Sequence, residues 1–223
     1  MITVHHLNNS RSQRILWLLE ELELDYEIKF YQRDPKTMLA PKELSDIHPL
    51  GKSPVLTDGE FTLAESGAIT EYIVNKYGDR KLKPQDNEAL ALRYTYWLHY
   101  AEGSAMPPLL LKLIFSKVRS TPAPFFIKPI INKIAGTVED KFIHPQLKLH
   151  FGYLESELQK YKWFAGDEFS AADIQMSFPL EAASERLGLE KKYPTLHQFL
   201  SKIHARPAYQ RALKKGGEYK LFS

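Results

Sequence analysis

Apolar and polar positions in the first third of the chain repeat with two different periods. Ile2–Leu7 is a short apolar run that reads as a strand. Over residues 12–24, Ile15, Leu16, Leu18, Leu19 and Leu22 recur at helical spacing, with Glu20, Glu21 and Glu23 on the other face. Tyr26–Tyr31 sets Tyr26, Ile28 and Phe30 against Glu27 and Lys29, the alternation of a second strand. Strand, helix and strand in that order predict a parallel β-α-β unit with a right-handed crossover. A loop with Pro35 and Pro41 follows. Two short apolar runs, 53–56 and 61–63, then bracket Thr57-Asp58-Gly59-Glu60, and an Asp-Gly pair in that setting signals a hairpin. A helix is expected from about Ser66 to Tyr77, with Ile69, Tyr72, Ile73 and Tyr77 on one face.

Residues 78–86 carry Gly78, Pro84 and mixed charges, as an exposed linker does. Everything beyond reads as helix. Residues 87–115 are long and apolar-periodic, broken by Gly103 and by Pro107-Pro108, which are expected to kink or end a helix. A second long helical region covers 126–161, and shorter helices are expected over 170–187, 194–204 and 207–214. The expected organisation is an α/β domain over 1–78, a linker over 79–86 and an all-α domain over 87–223. No repeat or low-complexity tract interrupts it.

Composition removes several kinds of chemistry. The 223 residues include no cysteine, so no disulfide, Cys-x-x-Cys redox pair, cysteine nucleophile or thiolate metal site is available. Any thiol chemistry must use sulfur brought by another molecule. The net charge of +3 gives no argument for nucleic-acid binding. Its distribution is uneven, −4 over residues 1–78 and +7 over 79–223, which fits two regions of different character. The opening Met-Ile-Thr-Val-His-His has neither a basic segment nor a long apolar core, and no apolar run approaches membrane-spanning length. The expectation is therefore a cytoplasmic protein without membrane insertion.

Three short segments carry candidate chemistry. Asn8-Asn9-Ser10-Arg11-Ser12-Gln13-Arg14 lies between the first strand and first helix. Ligands of open α/β sheets bind beyond the carboxyl ends of strands, and a helix N-terminus there offers free N–H groups. Ser10 or Ser12 can donate to an anion at that point, or can simply cap the helix. Gly51-Lys52-Ser53-Pro54-Val55 places a proline at the start of a strand. A cis bond there would turn the preceding backbone outward, where it could pair with an extended peptide; the alternative is a plain turn before an edge strand. Glu65-Ser66-Gly67 opens the next helix, so that Ser66 suits a carboxylate and Glu65 an ammonium, or the pair forms an ordinary acidic cap.

Together, the segments Asn9-Ser10-Arg11-Ser12-Gln13-Arg14-Ile15-Leu16, His48-Pro49-Leu50-Gly51-Lys52-Ser53-Pro54-Val55-Leu56 and Leu63-Ala64-Glu65-Ser66-Gly67-Ala68-Ile69 resemble the cytosolic glutathione S-transferases. The likeness is greatest to the serine-type members from fungi and bacteria and spans nearly the whole chain. Phe169-Ser170-Ala171-Ala172-Asp173-Ile174 resembles that family's helical capping motif, with Ser170 and Asp173 in the roles of a capping box. The resemblance implies a thioredoxin-like N-terminal domain, an all-helical C-terminal domain, glutathione as cosubstrate without a metal, and a homodimer. It implies attack of the glutathione thiolate on electrophilic small molecules. Ser10, four residues before Arg14, would donate to the thiolate, with Asn9 and Ser12 as alternates. Glu65 would take the γ-glutamyl ammonium, Ser66 its carboxylate, and the Ser53 main chain beside Pro54 the cysteinyl unit. Lys52, and less directly Lys42, would face the glycine carboxylate. Glu102 would reach a glutathione in the partner subunit or be a solvated helix charge. Glutathione-dependent peroxide reduction or isomerisation, and a non-catalytic interaction module, are the competing readings.

The electrophile pocket is expected in the helical domain, from Tyr100, Met106, Pro107, Leu109, Phe115, Phe125 and Phe126, with Phe222 at the tail; at helical spacing such residues also serve as core. Lys112, Lys117, Arg119, Lys128 and Lys133 form a basic stretch without an acid inside it, either a solvated face or a contact for an acidic partner. The histidines show no metal-ligand spacing.

Overall fold

The computed structural model describes residues 1–217 and Tyr219, without the side chains of 185–187. Four strands, β1 (Ile2–Leu7), β2 (Tyr26–Tyr31), β3 (Val55–Asp58) and β4 (Phe61–Ala64), form one sheet in the order β2-β1-β3-β4. β1 and β2 are parallel, with Ile2 opposite Tyr26 and Leu7 opposite Tyr31, as the β-α-β pattern predicts. β3 runs antiparallel to β1 and pairs with β4 across the Gly59-Glu60 turn. Helix α1 (Ser12–Glu21) supplies the crossover and buries Ile15, Leu16, Leu18 and Leu19 completely. α3 (Ser66–Tyr77) packs on α1 through the same core, with Ile69 and Ile73 buried.

Helix α2 (Glu43–Ile47) lies where only a loop was expected. Five residues are too few to show a helical period. Its single buried residue, Leu44, joins Leu7, Tyr31 and Val55 in a small second core beneath the ends of β1 and β2. This helix delivers the chain to the Ser53–Pro54 bond, which is cis. Gly51 on the way has φ +54, and a Cβ there would stand 2.6 Å from Ser45 Oγ. Both facts demand glycine.

The helical half begins with α4 (Glu88–Tyr100), capped by Asn87 Oδ1, which accepts from Leu90 N at 3.1 Å. At Pro107-Pro108, expected to kink or end a helix, a new helix begins. Ala101–Ala105 forms a π-turn that leads directly into α5 (Met106–Ser120), and the prolines fall in its first turn, where an absent N–H is tolerated. The device recurs: α6 (Lys128–Val138), a π-turn at Glu139–Ile143, then α7 (His144–Lys160) with Pro145 in its first turn. α8 (Ala171–Leu187) runs through the middle of the molecule against α1, α3 and α4. Its start carries the expected capping box. Asp173 Oδ2 accepts from Ser170 N at 2.8 Å and Asp173 Oδ1 accepts from Phe164 N at 2.8 Å. Complete burial pushes the Asp173 carboxyl up to about 6 despite these donors. The short α9 (Leu189–Lys192), α10 (Pro194–His204) and α11 (Pro207–Gly216) complete the fold.

α11 returns to α1. Arg206 Nε meets Glu21 Oε1 at 2.5 Å, Arg211 Nε meets Glu20 Oε2 at 2.8 Å, and Lys215 also holds Glu20. One apolar core therefore runs from Val4 and Trp17 through Trp97 and Phe151 to Phe164 and Ile203.

Candidate active site

The carboxyl ends of β1 and β2 form one border of the site. Asn8 N donates to Tyr31 O at 3.2 Å, and Asn8 Oδ1 accepts from Arg33 N at 2.8 Å, so the turn after β1 is held to the strand beside it. Asn9 has φ 51, a left-handed conformation that asparagine tolerates. Ser10 follows at 4% exposure. Its Oγ accepts from Ser12 N at 3.2 Å, so the helix-start role is real, and it lies 3.2 Å from Ser53 Oγ. The first two sequence segments thus meet at Ser10 and Ser53, beside the cis proline.

Ser12 points the other way. It is fully buried, with Oγ 2.8 Å from Ser10 Oγ and 2.9 Å from His6 Nδ1. His6 Nε2 lies 3.1 Å from Gly216 O of α11. Burial pulls the His6 imidazole below its ordinary value, and the Gly216 carbonyl opposes that shift.

The third segment joins through Arg14. This guanidinium is 1% exposed. Nη2 donates to Ser66 Oγ at 2.9 Å and to Glu102 Oε1 at 2.5 Å, and Nη1 donates to Gln175 O. Gln175 Nε2 also donates to Ser66 Oγ, at 3.1 Å. With Arg14 and Gln175 both donating, the lone pairs of the Ser66 hydroxyl are filled and its proton is available to an anion at the N-terminus of α3. Glu65 stands just before this helix, exposed, with φ 70.

Glu102, in the π-turn after α4, is not a solvated charge. It receives Arg11 Nε at 2.8 Å as well as Arg14. Burial works against its ionisation, but the two arginines outweigh it and hold the carboxyl at about 2. Phe178 of α8 lies under both guanidiniums, with its ring centre 4.6 Å from Arg11 Cζ and 5.1 Å from Arg14 Cζ. Arg14, Gln175 and Phe178 escaped the sequence reading. The available signal was Arg14 four residues before Leu18, a charge on the buried face of an amphipathic helix.

Lys52 and Lys42 are both exposed, Lys42 immediately before α2. Of the electrophile-pocket candidates, Tyr100, Met106 and Leu109 share one buried cluster, with Phe115 packed against it. Tyr100 and Met106 belong to the core, and Tyr100 Oη bonds His150 Nδ1 at 2.6 Å within a cluster of Tyr96, Trp97 and Tyr153. Leu109 is buried, Phe115 half-buried and Pro107 exposed. Phe125 is 89% exposed and meets only its neighbour Phe126 edge to face among the ring contacts of the described residues. Phe125 stands on the exposed α5–α6 connection. Phe222 lies outside the described residues. In the basic stretch, Lys112 and Arg119 pair with the buried Glu139 at 3.1 Å and 2.7 Å, so two of the five cations are structural. Among the described residues no cluster of three metal-ligating side chains occurs.

A cis-proline loop, a hydroxyl at a strand's carboxyl end and a helix N-terminus are arrayed on a thioredoxin-like sheet with an all-helical half beside them, the arrangement of a two-part α/β and all-α protein with its polar groups converging at one end of the sheet. The N-terminal domain model of glutathione S-transferases matches residues 1–75 and the C-terminal domain model matches 124–207. The chain belongs to the glutathione S-transferase family. It is 37% identical to glutathione S-transferase 1 of Saccharomyces cerevisiae, over 96% of this chain and 95% of that one. It is 36% identical to glutathione S-transferase 3 of Schizosaccharomyces pombe, over 96% and 88%. A crystal structure of a glutathione S-transferase from Actinobacillus pleuropneumoniae superposes with a TM-score of 0.80 at 33% identity, covering 100% of this chain and 97% of that one.

Proposed function

We propose that this glutathione transferase ionises the thiol of bound glutathione with the Ser10 hydroxyl and directs it at electrophilic, largely apolar small molecules. The observation that carries the reading is the meeting of Ser10 with Ser53 at the cis-Pro54 turn, on the same sheet whose last strand leads into Ser66 at the start of α3. Glutathione lies along residues 1–78 as an added strand on the Ser53 main chain. Glu65 takes the γ-glutamyl ammonium, Ser66 and the α3 amides its carboxylate, and Lys52, aided by Lys42, the glycine carboxylate. The electrophile is held by residues of the helical half, 87–223. The working form is a cytoplasmic homodimer without a resident metal. Glu102, held by Arg11 and Arg14 of its own chain, fixes the wall behind Ser66.

The magnitudes suit the task. A free thiol titrates near 8.5, and lowering it by about two units takes roughly 2.7 kcal/mol of preference for the thiolate. A hydrogen bond to a charged group contributes about 1.5–3 kcal/mol, and a helix N-terminus adds about 0.3–1 kcal/mol. Ser10 donates and keeps its own proton count; it forms no covalent bond to the electrophile.

The test is steady-state conjugation of an activated aryl halide alongside calorimetric binding of glutathione. Ser10→Ala is expected to lower kcat/KM about 10- to 100-fold, the equivalent of one charge-assisted hydrogen bond, while glutathione affinity changes little. Unchanged turnover would remove Ser10 from the mechanism.

A further inference from the structure

Hydrogen-bond directions behind Ser10 are determined by one fixed acceptor. The Gly216 carbonyl can only accept, so His6 Nε2, 3.1 Å away, carries a hydrogen. In the neutral imidazole Nδ1 is then an acceptor, and Ser12 Oγ has two acceptors in reach, His6 Nδ1 at 2.9 Å and Leu7 O at 3.3 Å; the shorter contact assigns its proton to His6. Ser12 has one proton to give. The 2.8 Å contact between the two serines is therefore donated by Ser10. Ser10 Oγ accepts from Ser12 N, and Ser53 Oγ, 3.2 Å from Ser10 Oγ, has a carbonyl acceptor of its own in His5 O at 3.3 Å. With Ser53 donating to His5 O, the Ser10 proton faces inward and a lone pair of Ser10 is open toward the cis-proline turn. A hydroxyl set this way accepts from a thiol; it does not yet donate to a thiolate.

We infer that His6 is the proton acceptor for the bound thiol, acting through Ser12 and Ser10. The inference rests on Ser10 facing the thiol. The S–H proton passes to Ser10 Oγ, the Ser10 proton to Ser12 Oγ, and the Ser12 proton to His6 Nδ1. Three bonds to hydrogen break and three form; no electrons leave, and a thiol plus a neutral imidazole become a thiolate plus an imidazolium. The same shift reverses every hydrogen bond in the chain. His6 then donates to Ser12, Ser12 to Ser10, and Ser10 to the sulfur. One movement of protons thus ionises the thiol and turns the Ser10 donor toward it.

The surroundings of His6 decide when this happens. The ring is 2% exposed. β2 presents the Phe30 ring, 5.8 Å away edge to face. Lys29 of β2 lowers His5 instead, and His5 has its own partners in Tyr31 and Thr57. α1 presents Ser12, while Arg14 is taken up by Ser66 and Glu102. α11 presents the Gly216 carbonyl, while Lys215 is on Glu20. Among the described residues no carboxylate compensates a charge on His6. The thiolate itself is the counter-charge, so His6 protonates when glutathione binds and returns its proton once the thiolate has been consumed. His6 is a positioning residue, because it reaches the sulfur only through the two hydroxyls.

Three readouts test this in the full-length protein: ultraviolet thiolate absorbance of the glutathione complex against pH, binding of S-methylglutathione, and nitrogen NMR of His6. His6→Asn and Ser12→Ala are each expected to raise the thiolate midpoint by about one unit, which from about 6.5 cuts the thiolate fraction at pH 7 about threefold. Binding of S-methylglutathione, which has no proton to give, should be unchanged. In the wild-type protein at neutral pH the His6 resonances should move to the imidazolium position with glutathione and stay neutral with S-methylglutathione. A neutral His6 beside an ionised thiol in the wild-type complex overturns the relay whether or not the variants fold. So does a wild-type thiolate midpoint in folded His6→Asn, and in both cases the glutathione reading stands. If the wild-type protein binds no glutathione, that reading falls and the relay with it.

Discussion

Replacing Glu102 by glutamine removes the charge that joins the π-turn after α4 to the start of α1. The magnitude follows from its titration. The carboxyl is held at about 2 in the folded protein against 4.5 for the free group. Each unit is about 1.4 kcal/mol, so ionised Glu102 favours the folded state by roughly 3 kcal/mol at pH 7. A depressed carboxyl contributes stability that is complete above its unfolded value and is lost as pH falls through the folded one. By linkage about 2 kcal/mol should remain at pH 3.5 and about 1.4 kcal/mol at pH 3. Arg14 supplies the reason for so large a term: its side chain is 1% exposed, and burying it without a partner is costly. The assay is urea unfolding of wild type and Glu102→Gln at pH 7, 4.5 and 3.5. The expected difference is about 3 kcal/mol at the two higher values, shrinking at the lowest. Equal stability at pH 7, or a difference that does not change with pH, would refute the argument that Glu102 acts as the counter-charge of a buried arginine.

Three further outcomes follow from the same geometry. Ser66→Ala should weaken binding of both glutathione and S-methylglutathione about 10- to 100-fold, one hydrogen bond to a carboxylate, with little change in kcat; equal affinity by calorimetry would take Ser66 out of the site. Asp173→Ala removes the acceptor for Phe164 N and Ser170 N and should cost about 2–4 kcal/mol in urea unfolding. Gly216→Ala places a Cβ 2.5 Å from Gln13 Oε1 and 2.8 Å from Leu16 Cδ1, and should lower the melting temperature by several degrees, about 1–3 kcal/mol of overpacking.

The sheet was legible because its signals are local. The apolar alternation of Tyr26–Tyr31 and the Asp58-Gly59 pair place two strands and a hairpin without knowledge of the rest. The capping box at Ser170 was legible for the same reason. The helical half was harder. A proline pair inside an apolar-periodic run reads as a break, and only the π-turns before Met106 and His144 let the chain continue. No local pattern encodes a π-turn. α2 was invisible because its helix is shorter than the window that periodicity needs.

At the site, the sequence motifs brought forward side chains that face outward, while the residues that hold them stayed hidden. Ser10, Ser53 and Ser66 sit in recognisable segments. Arg14 and Gln175 are 161 residues apart in the chain and meet only in the folded core, as do His6 and Gly216. Long-range polar contacts of this kind leave no spacing in one sequence. Aromatic character alone likewise says nothing of burial: Phe125, on the α5–α6 connection, is exposed.

The central claim is that Ser10 ionises the bound thiol, and the ultraviolet titration of the glutathione complex tests it most directly. The account predicts a thiolate midpoint about two units below the free value near 8.5 in the wild-type complex, moving back toward that value in Ser10→Ala. A midpoint that stays depressed in Ser10→Ala, with glutathione still bound, would contradict it.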